Sequence, residues 1–273
     1  MYGVLMYALV GVSAELAEQL VAIETGGEDA VHQARTRVRR LRSILSVYKK
    51  AFDREEARRM RDRLTRLGER LGAVRDLEVR SRDLEDLLLA ESSPELVDAV
   101  EALAAESRDA HDRALAELLS HLRGRTHRVL LADLQRFAAD PPLAKAGRTH
   151  PGRVTRKGLA KAVERVRRNT GTTLEQRHEL RKAARRLRYA AEAVIDDRGR
   201  SAVRLAAAAE TVHDSLGDHR DLVLLGRHLR EHTAGRGLSP SATAGIAMLA
   251  AECDRRAEER LDGLDEALDA IEW

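Results

Sequence analysis

The sequence predicts an all-α protein built from two homologous halves, and three observations support this prediction. Leu, Ala, Arg and Glu dominate the 273 residues, with only 18 Gly and 5 Pro, so long helices are favoured over the many turns of a β fold. No stretch alternates apolar and polar residues as a half-buried strand would. Two motifs occur twice, in the same order and at nearly the same spacing.

The longer motif is HQARTRVRRLR, which begins at His32 and aligns with HELRKAARRLR at His178. The shorter is LGAVRDL at Leu71, which aligns with LGDHRDL at Leu216. Since two separate motifs repeat in register, chance is a poor explanation and the chain is predicted to contain a duplicated unit.

The join between the two halves is predicted at residues 141–153, where Pro and Gly cluster and the helical periodicity fails. The first half is then 1–140 and the second 154–273, packed as a single domain over 1–273. We expect two four-helix bundles related by a pseudo-two-fold axis.

Turn-forming residues divide each half into about four helices. The breaks fall at TGGED, Phe52–Asp53 and SSPE in the first half, and at NTGTT, DDRGR and AGRGLSPSA in the second. Ser93 before Pro94 predicts an N-cap with Pro at the first helical position. Thr173 with Gln176 predicts a capping box.

The opening stretch MYGVLMYALVGVSAELAEQL has the short apolar run of a signal peptide but lacks a positive n-region. The run is too short to span a bilayer, and apolar residues continue at helical spacing through Leu16, Leu20 and Ile23. We therefore expect a core helix and a cytoplasmic protein. A lone Cys253, which permits neither an intramolecular disulfide nor a cysteine metal cluster, is compatible with a reducing compartment.

The formal net charge of +3 conceals a segregation of charge along the chain. Between Val31 and Arg63 basic residues outnumber acidic ones about three to one, whereas acidic residues prevail after Ala251. A locally positive surface on a nearly neutral protein indicates a localised anionic partner.

A helical wheel places the cations of each long motif on one face and apolar residues on the other. In the first copy the cationic stripe contains His32, Arg35, Arg39 and Arg42, flanked by Arg40. In the second it contains His178, Arg181, Arg185 and Arg188, with Lys182 nearby. The predicted core faces are Ala34, Val38, Leu41, Ile44, Leu45 and Tyr48 in the first copy, and Leu180, Ala184, Leu187, Ala191 and Val194 in the second.

Like charges four residues apart destabilise a helix slightly, so two copies of such a stripe indicate an external anion. Arginine suits this role, because its planar guanidinium binds phosphate oxygens in bidentate fashion and is always charged. A structural salt-bridge network is the alternative interpretation. Glu192 could pair with Arg185 or Arg188, and Asp76 and Asp221 could neutralise other arginines.

The histidines raise the question of a metal site. His32 and His178 occupy equivalent places, but the remaining histidines are scattered, and no HExxH motif or close set of three or four ligands is present. Neither a phosphate-cradling Gly-rich loop nor a nucleophile with an evident base can be found. The sequence therefore predicts no metal site, no catalytic residue and no cofactor.

Together the four motifs resemble those of the CHAD family, the conserved histidine α-helical domain, and the resemblance covers essentially the whole chain. It implies an all-α fold of two four-helix halves around a basic central channel. It also implies binding of inorganic polyphosphate, and a place on polyphosphate granules, where some members are found. Many members are fused to a triphosphate-processing domain, whereas this sequence is expected to form a stand-alone binding module.

The resemblance assigns polyphosphate binding to the positions that match the family motifs. These are His32, Arg35, Arg39, Arg40, Arg42 and Arg75 in the first half, and His178, Arg181, Lys182, Arg185, Arg186, Arg188 and Arg220 in the second. Thr36 stands where the second half has Lys182, so the halves are expected to bind unequally. His219 stands before Arg220, where a small or apolar residue is expected.

The function expected from the sequence is polyphosphate binding without catalysis. A nucleic-acid binder that contacts the phosphate backbone is the first alternative. Against it, single-strand binders stack bases on aromatic residues, and this chain has 2 Phe, 4 Tyr and 1 Trp. A metal-dependent phosphohydrolase is the second alternative.

Two variants distinguish the anion-binding interpretation of the cationic stripes from the salt-bridge interpretation. Arg35→Glu combined with Arg181→Glu should abolish polyphosphate binding and leave the helix content intact, whereas Leu41→Asp should unfold the bundle by burying a charge. Circular dichroism and a polyphosphate titration measure the two effects. Loss of fold in the double variant would support the salt-bridge network instead.

Overall fold

The structure is a computed structural model that describes residues 3–88, 92–169, 171–233 and 235–272. Within these ranges the chain is helical and contains no β-strand, so the all-α prediction is confirmed. The helices are α1 (Gly3–Glu24), α2 (Ala30–Val47), α3 (Arg54–Glu85), α4 (Pro94–Arg123), α5 (Arg125–Ala139), α6 (Lys145–Thr149), α7 (Pro151–Arg167), α8 (Leu174–Glu192), α9 (Ile195–Arg198), α10 (Arg200–Thr233), α11 (Pro240–Glu259) and α12 (Leu264–Asp269).

Several helices begin where a side chain caps the first turn. The Ser93 hydroxyl accepts a hydrogen bond from the Leu96 amide, with Pro94 at the start of α4. The Thr173 hydroxyl accepts from the Gln176 amide while the Gln176 side chain accepts from the Thr173 amide. Both predicted caps are thereby confirmed, and each satisfies backbone donors that a helix start otherwise leaves unpaired.

The helices differ from the prediction at four places. Gly124 takes an extended conformation (φ −75°, ψ 157°) and separates α4 from α5, so the first half holds five helices rather than four. Short helices α6, α9 and α12 also form, α6 within the predicted linker. Thr170 and Ala234, which belong to two predicted breaks, lie outside the described residues.

The helices pack around one large core and a smaller satellite. α1 packs on α2 and α5, α2 on α3, and α8 on α7 and α10, while α2 and α8 contact each other. The satellite core joins the ends of α3 and α10 to α4 and α11 through residues such as Leu103 and Ile246. The predicted apolar faces of α2 and α8 all lie buried in the large core. The pseudo-two-fold relation and the boundaries of the halves stay predictions.

α1 is long and apolar enough to cross a membrane by length and hydropathy alone. In the structure one side of this helix, including Leu9, Leu16 and Leu20, is buried in the large core. The opposite side leaves Tyr7, Val10 and other residues exposed.

Tyr48 joins the end of α2 to α7 and α8. Its buried hydroxyl donates a hydrogen bond of 2.6 Å to the Ala190 carbonyl oxygen, and burial raises the pKa of the phenol. A Cβ atom at Gly158 of α7 would lie 2.8 Å from Cδ1 of the Tyr48 ring. The absence of a side chain at Gly158 therefore lets α7 approach α2 closely.

We expect Gly158→Ala to destabilise the protein by about 1–3 kcal/mol, because its Cβ would overlap the Tyr48 ring. Gly11→Ala is the matched control. It is also a Gly-to-Ala change inside a helix, but its Cβ would meet no atom within 4 Å, so stability should rise by up to about 1 kcal/mol. Urea unfolding measures both changes, and a Gly158→Ala protein as stable as its parent would contradict this packing argument.

Candidate anion-binding cavity

A cavity of about 780 Å³ lies between α2, α3, α8 and α10. Ten of the thirteen residues predicted from the sequence line it: His32, Arg35, Arg39, Arg42, Arg75, His178, Arg181, Lys182, Arg185 and Arg220. The cationic faces of α2 and α8 therefore converge on one space.

Arg40 and Arg188 lie elsewhere, so the structure does not support them as ligands of the cavity. Both contact Glu192: Arg40 Nη2 lies 3.0 Å and Arg188 Nε 2.9 Å from its carboxylate. Arg188 Nη2 also lies 2.6 Å from Glu210 Oε1. At these two arginines the alternative interpretation holds, because carboxylates of the protein itself supply the counter-charge.

Arg186 also lies outside the cavity lining but borders one end of it. Burial lowers its pKa, and Arg165, Arg42 and Arg61 lower it further, while Glu179 opposes them. Arg42 does line the cavity. Arg186 therefore lies near Arg42 of the cavity lining and near cations of α7 and α3.

The repeat alignment shows where the two halves differ in charge. Glu192 pairs with Arg40 and Arg188, whose repeat equivalents are Arg186 and Arg42. The position equivalent to Glu192 is Ser46, which has no charge. Burial lowers the pKa of Arg42, while Glu69, which also lines the cavity, opposes this effect.

The arginines at the middle of the cavity have no carboxylate partner. Among the described residues, none lies within 4.0 Å of the guanidinium groups of Arg39, Arg42, Arg181 or Arg185. Burial and then Arg35 lower the pKa of Arg39 to about 10. Burial and then Arg39 lower the pKa of Arg185 to about 9. These groups stay charged at neutral pH, so the empty cavity holds repelling, partly desolvated cations.

Other cavity residues are already paired. Arg35 Nη1 lies 2.5 Å from Asp76 Oδ1, and Arg75 Nη1 lies 2.7 Å from Glu78 Oε1. Lys182 forms an ion pair with Glu179. An anion that binds here would compete with these carboxylates for part of the cavity and would meet unpaired cations only in its middle.

The glycine of the shorter motif lies against an arginine of the neighbouring helix in each half. A Cβ atom at Gly217 would lie 3.0 Å from Arg181 Nη2, which is too tight without a shift, whereas one at Gly72 would make an ordinary contact of 3.6 Å with Arg35 Cζ. The glycine therefore makes room for an arginine in the second half, and Arg75 and Arg220 of the two motifs line the cavity.

Sequence reasoning missed the acidic end of the cavity. Arg80 and Asp83 also line it, four and seven residues after Asp76 on α3, so helical periodicity carried past the motif finds them. Burial and then the nearby Asp221 raise the pKa of Asp83 to about 6. Burial likewise raises the pKa of Asp221.

The paired histidines stand at the cavity wall. Burial lowers the pKa of both His32 and His178, with neighbouring cations adding to the effect, so both rings are neutral at pH 7. Within the described ranges no group of three or more His, Cys, Asp and Glu side chains is placed to hold a metal ion.

A family model, described as CHAD domain, matches residues 12–230. The chain belongs to the CHAD domain family. Its sequence resemblance to that family is thereby confirmed.

This CHAD domain is 30% identical over 283 aligned positions to the uncharacterized protein Rv2226 of Mycobacterium tuberculosis strain H37Rv. Protein MT2285 of strain CDC 1551 matches with the same identity and coverage. Each alignment covers 93% of this chain and 52% of the relative, so the chain spans about half the length of the curated relatives it matches.

Two solved structures share the fold of this CHAD domain. PptA from Streptomyces chartreusis superposes with a TM-score of 0.82 at 18% identity, over 98% of this chain and 99% of that one. The CHAD domain from the plant Ricinus communis superposes with a TM-score of 0.71 at 23% identity, over 100% and 92%. At these identities the likeness establishes the fold.

Behind the cationic face of the CHAD domain lies the buried His213 of α10. Its ring lies beside Asp214 (Nδ1–Oδ1 2.8 Å) and near Arg181 and Arg185. Burial lowers the pKa of His213 to about 4 against the opposing effect of Asp214, and the two arginines lower it too. The folded protein therefore holds this ring neutral at pH values where an unfolded chain would protonate it.

This pKa sets the direction of a pH effect on stability. Because the folded pKa (about 4) lies below the ordinary value of 6.5, the unfolded chain binds more protons between these values. The His213 contribution is complete above pH 6.5 and is lost as pH falls towards 4, by at most about 3 kcal/mol. We expect His213→Gln to flatten the stability profile over this window.

Urea unfolding of the ligand-free protein between pH 4 and 7 measures the effect, with His150→Gln at an exposed histidine as the matched control. A His213→Gln profile parallel to that of the parent over the whole window would contradict the assignment.

Proposed function

We propose that this CHAD domain binds inorganic polyphosphate in the cavity between α2 and α8, without catalysing a reaction. The observation that carries the proposal is the set of unpaired, partly buried arginines from both helices. Placing like charges together out of water costs free energy, and a polyanion in the cavity would remove that cost.

The chemistry of the lining favours a chain of phosphates over a single small anion. Arg39 and Arg185 come from different helices, with Arg35, Arg181 and Arg42 beside them. A ligand with a charge on every repeating unit can contact several of these guanidinium groups at once. Each contact is a charge-assisted hydrogen bond, and arginine can form two of them to one phosphate.

Nucleic acid fits the cavity arginines less well than polyphosphate does. Among the described residues, the cavity lining contains no Phe, Tyr or Trp side chain on which a base could stack. Bases attached to every phosphate would also have to enter a space of about 780 Å³. A polyanion without bases fits these two constraints, and membership of the CHAD family agrees with it.

Binding without catalysis is part of the proposal. The carboxylates that line the cavity, such as Asp76 and Asp83, do not form a described cluster of three ligands for a metal ion. Phosphate release from polyphosphate incubated with the protein and Mg²⁺ or Mn²⁺ would contradict this part. We also propose a cytoplasmic location, on polyphosphate granules where these form.

The decisive experiment compares two double variants of equal charge. Arg39→Gln with Arg185→Gln removes cations from the cavity, whereas Arg40→Gln with Arg188→Gln removes cations of the same two helices outside it. We expect the first pair to weaken long-chain polyphosphate binding about a hundredfold or more, since each lost charge-assisted contact is worth about 1.5–3 kcal/mol. Calorimetric titration at several salt concentrations measures this loss.

Two further readouts distinguish ligand contacts from structural ones. The ligand-free Arg39→Gln/Arg185→Gln protein should unfold at a higher temperature than its parent, because two repelling cations are gone. The Arg40→Gln/Arg188→Gln protein should keep its affinity within a few fold. Equal losses in the two variants, or displacement of polyphosphate by duplex DNA or RNA at equal phosphate concentration, would overturn the proposal.

A further inference from the structure

α7 carries a row of cations that no part of the cavity explains. Arg153, Lys157, Lys161 and Arg165 follow one another at intervals of four residues, so they form one continuous ridge on the helix. All four side chains are exposed. Over twelve residues the ridge extends for about 18 Å.

The cations of the α7 ridge have no counter-charge, whereas several exposed cations on other helices do. On α3, Arg58 contacts Glu55 and Asp62, and on α11 Arg255 contacts Glu252 and Glu259. Among the described residues, no carboxylate lies within 4.0 Å of any cation of the α7 ridge. Four like charges at this spacing destabilise the helix, so their neutralisation by an external anion would be favourable.

The ridge also lies beside the cavity wall, because α7 packs against α8, which carries the lining residues Lys182 and Arg185 as well as Arg186. Burial and then Arg165 of the ridge lower the pKa of Arg186, and Arg42 of the cavity lining lowers it too. Arg186 therefore lies near cations of both the cavity and the ridge.

The two cations that lie between the cavity and α7 have no ion-pair partner. Glu192 pairs with Arg40 and Arg188, but the position equivalent to Glu192 beside Arg42 and Arg186 is Ser46. Among the described residues, no carboxylate lies within 4.0 Å of Arg42 or Arg186. A chain longer than the cavity would therefore meet unpaired cations on its way to α7.

We propose that the α7 ridge is a second binding segment for the same polyphosphate chain, which passes from the cavity over Arg42 and Arg186 and then follows Arg165, Lys161, Lys157 and Arg153. This inference rests on polyphosphate binding in the cavity. It assigns chain-length selectivity to α7, because a short chain fills the cavity alone and a long chain also neutralises the ridge. Contacts between exposed cations and phosphates are strongly screened by salt, so this segment should be the more salt-sensitive one.

The test variant replaces all four ridge cations by Gln (R153Q, K157Q, K161Q and R165Q). The matched control also removes four exposed cations, each of which has a carboxylate neighbour: R58Q, R59Q, R227Q and R255Q. Both proteins lose the same net charge. Tripolyphosphate serves as the short probe and long-chain polyphosphate as the long one, with circular dichroism to check the fold.

We expect the ridge variant to bind tripolyphosphate within about twofold of the parent and long-chain polyphosphate at least tenfold more weakly. Its dependence of log affinity on log salt for the long probe should become shallower by several units, about one for each lost phosphate contact. The control variant should bind both probes like the parent, since each of its four cations already has a carboxylate partner.

Three results would overturn the inference while leaving the cavity proposal intact. The first is a ridge variant that binds long-chain polyphosphate like its parent, and the second is an equal loss of affinity for both probes. The third is a loss of affinity for duplex DNA alone, which would make α7 a nucleic-acid surface. Failure of the parent protein to bind either probe would instead refute polyphosphate binding itself, and the α7 segment with it.

Discussion

The repulsion between the guanidinium groups of α2 and α8 is the constraint on which the arrangement of this protein depends. Arg39 and Arg185 face each other, partly desolvated and without carboxylate partners in the described structure. The free energy that holds them there comes from the other sides of the same helices, where Leu41 and Leu187 are completely buried. The core therefore preorganises the cationic cavity, so that binding of an anion does not have to bring the arginines of α2 and α8 together.

Charge along the cavity is graded rather than uniform. Arg35 is held by Asp76, and Asp83 and Asp221 lie at the same end, whereas the middle is purely cationic. A ligand of low charge would gain little from displacing Asp76, since it would exchange one ion pair for another. A ligand with many charges gains most in the middle, where nothing has to be displaced. This gradient favours polyanions without any recognition of shape or sequence.

Periodicity and the repeat were enough to predict the helical fold, the buried faces of α2 and α8, and eight of the residues that line the cavity, while the family resemblance added Arg75 and Arg220. They could not place Arg188, which a helical wheel puts in the same stripe as Arg181. A helical wheel describes one helix alone, whereas one of the carboxylates that contact Arg188 belongs to Glu210 of α10. The wheel therefore could not show that Arg188 is neutralised by another helix. The break at Gly124 was missed for a similar reason, because a glycine within a helical pattern is tolerated as often as it terminates one.

The differences between the repeated halves matter as much as their likeness. Gly68 leaves space beside Arg42, while the equivalent position on α10 holds the buried His213. Ser46 corresponds to Glu192, the residue that pairs with Arg188. Two identical halves would give Arg42 and Arg188 the same partners. Substitutions confined to one copy instead leave Arg42 in the cavity lining without a carboxylate within 4.0 Å in the described structure, whereas Glu192 and Glu210 hold Arg188 outside the lining.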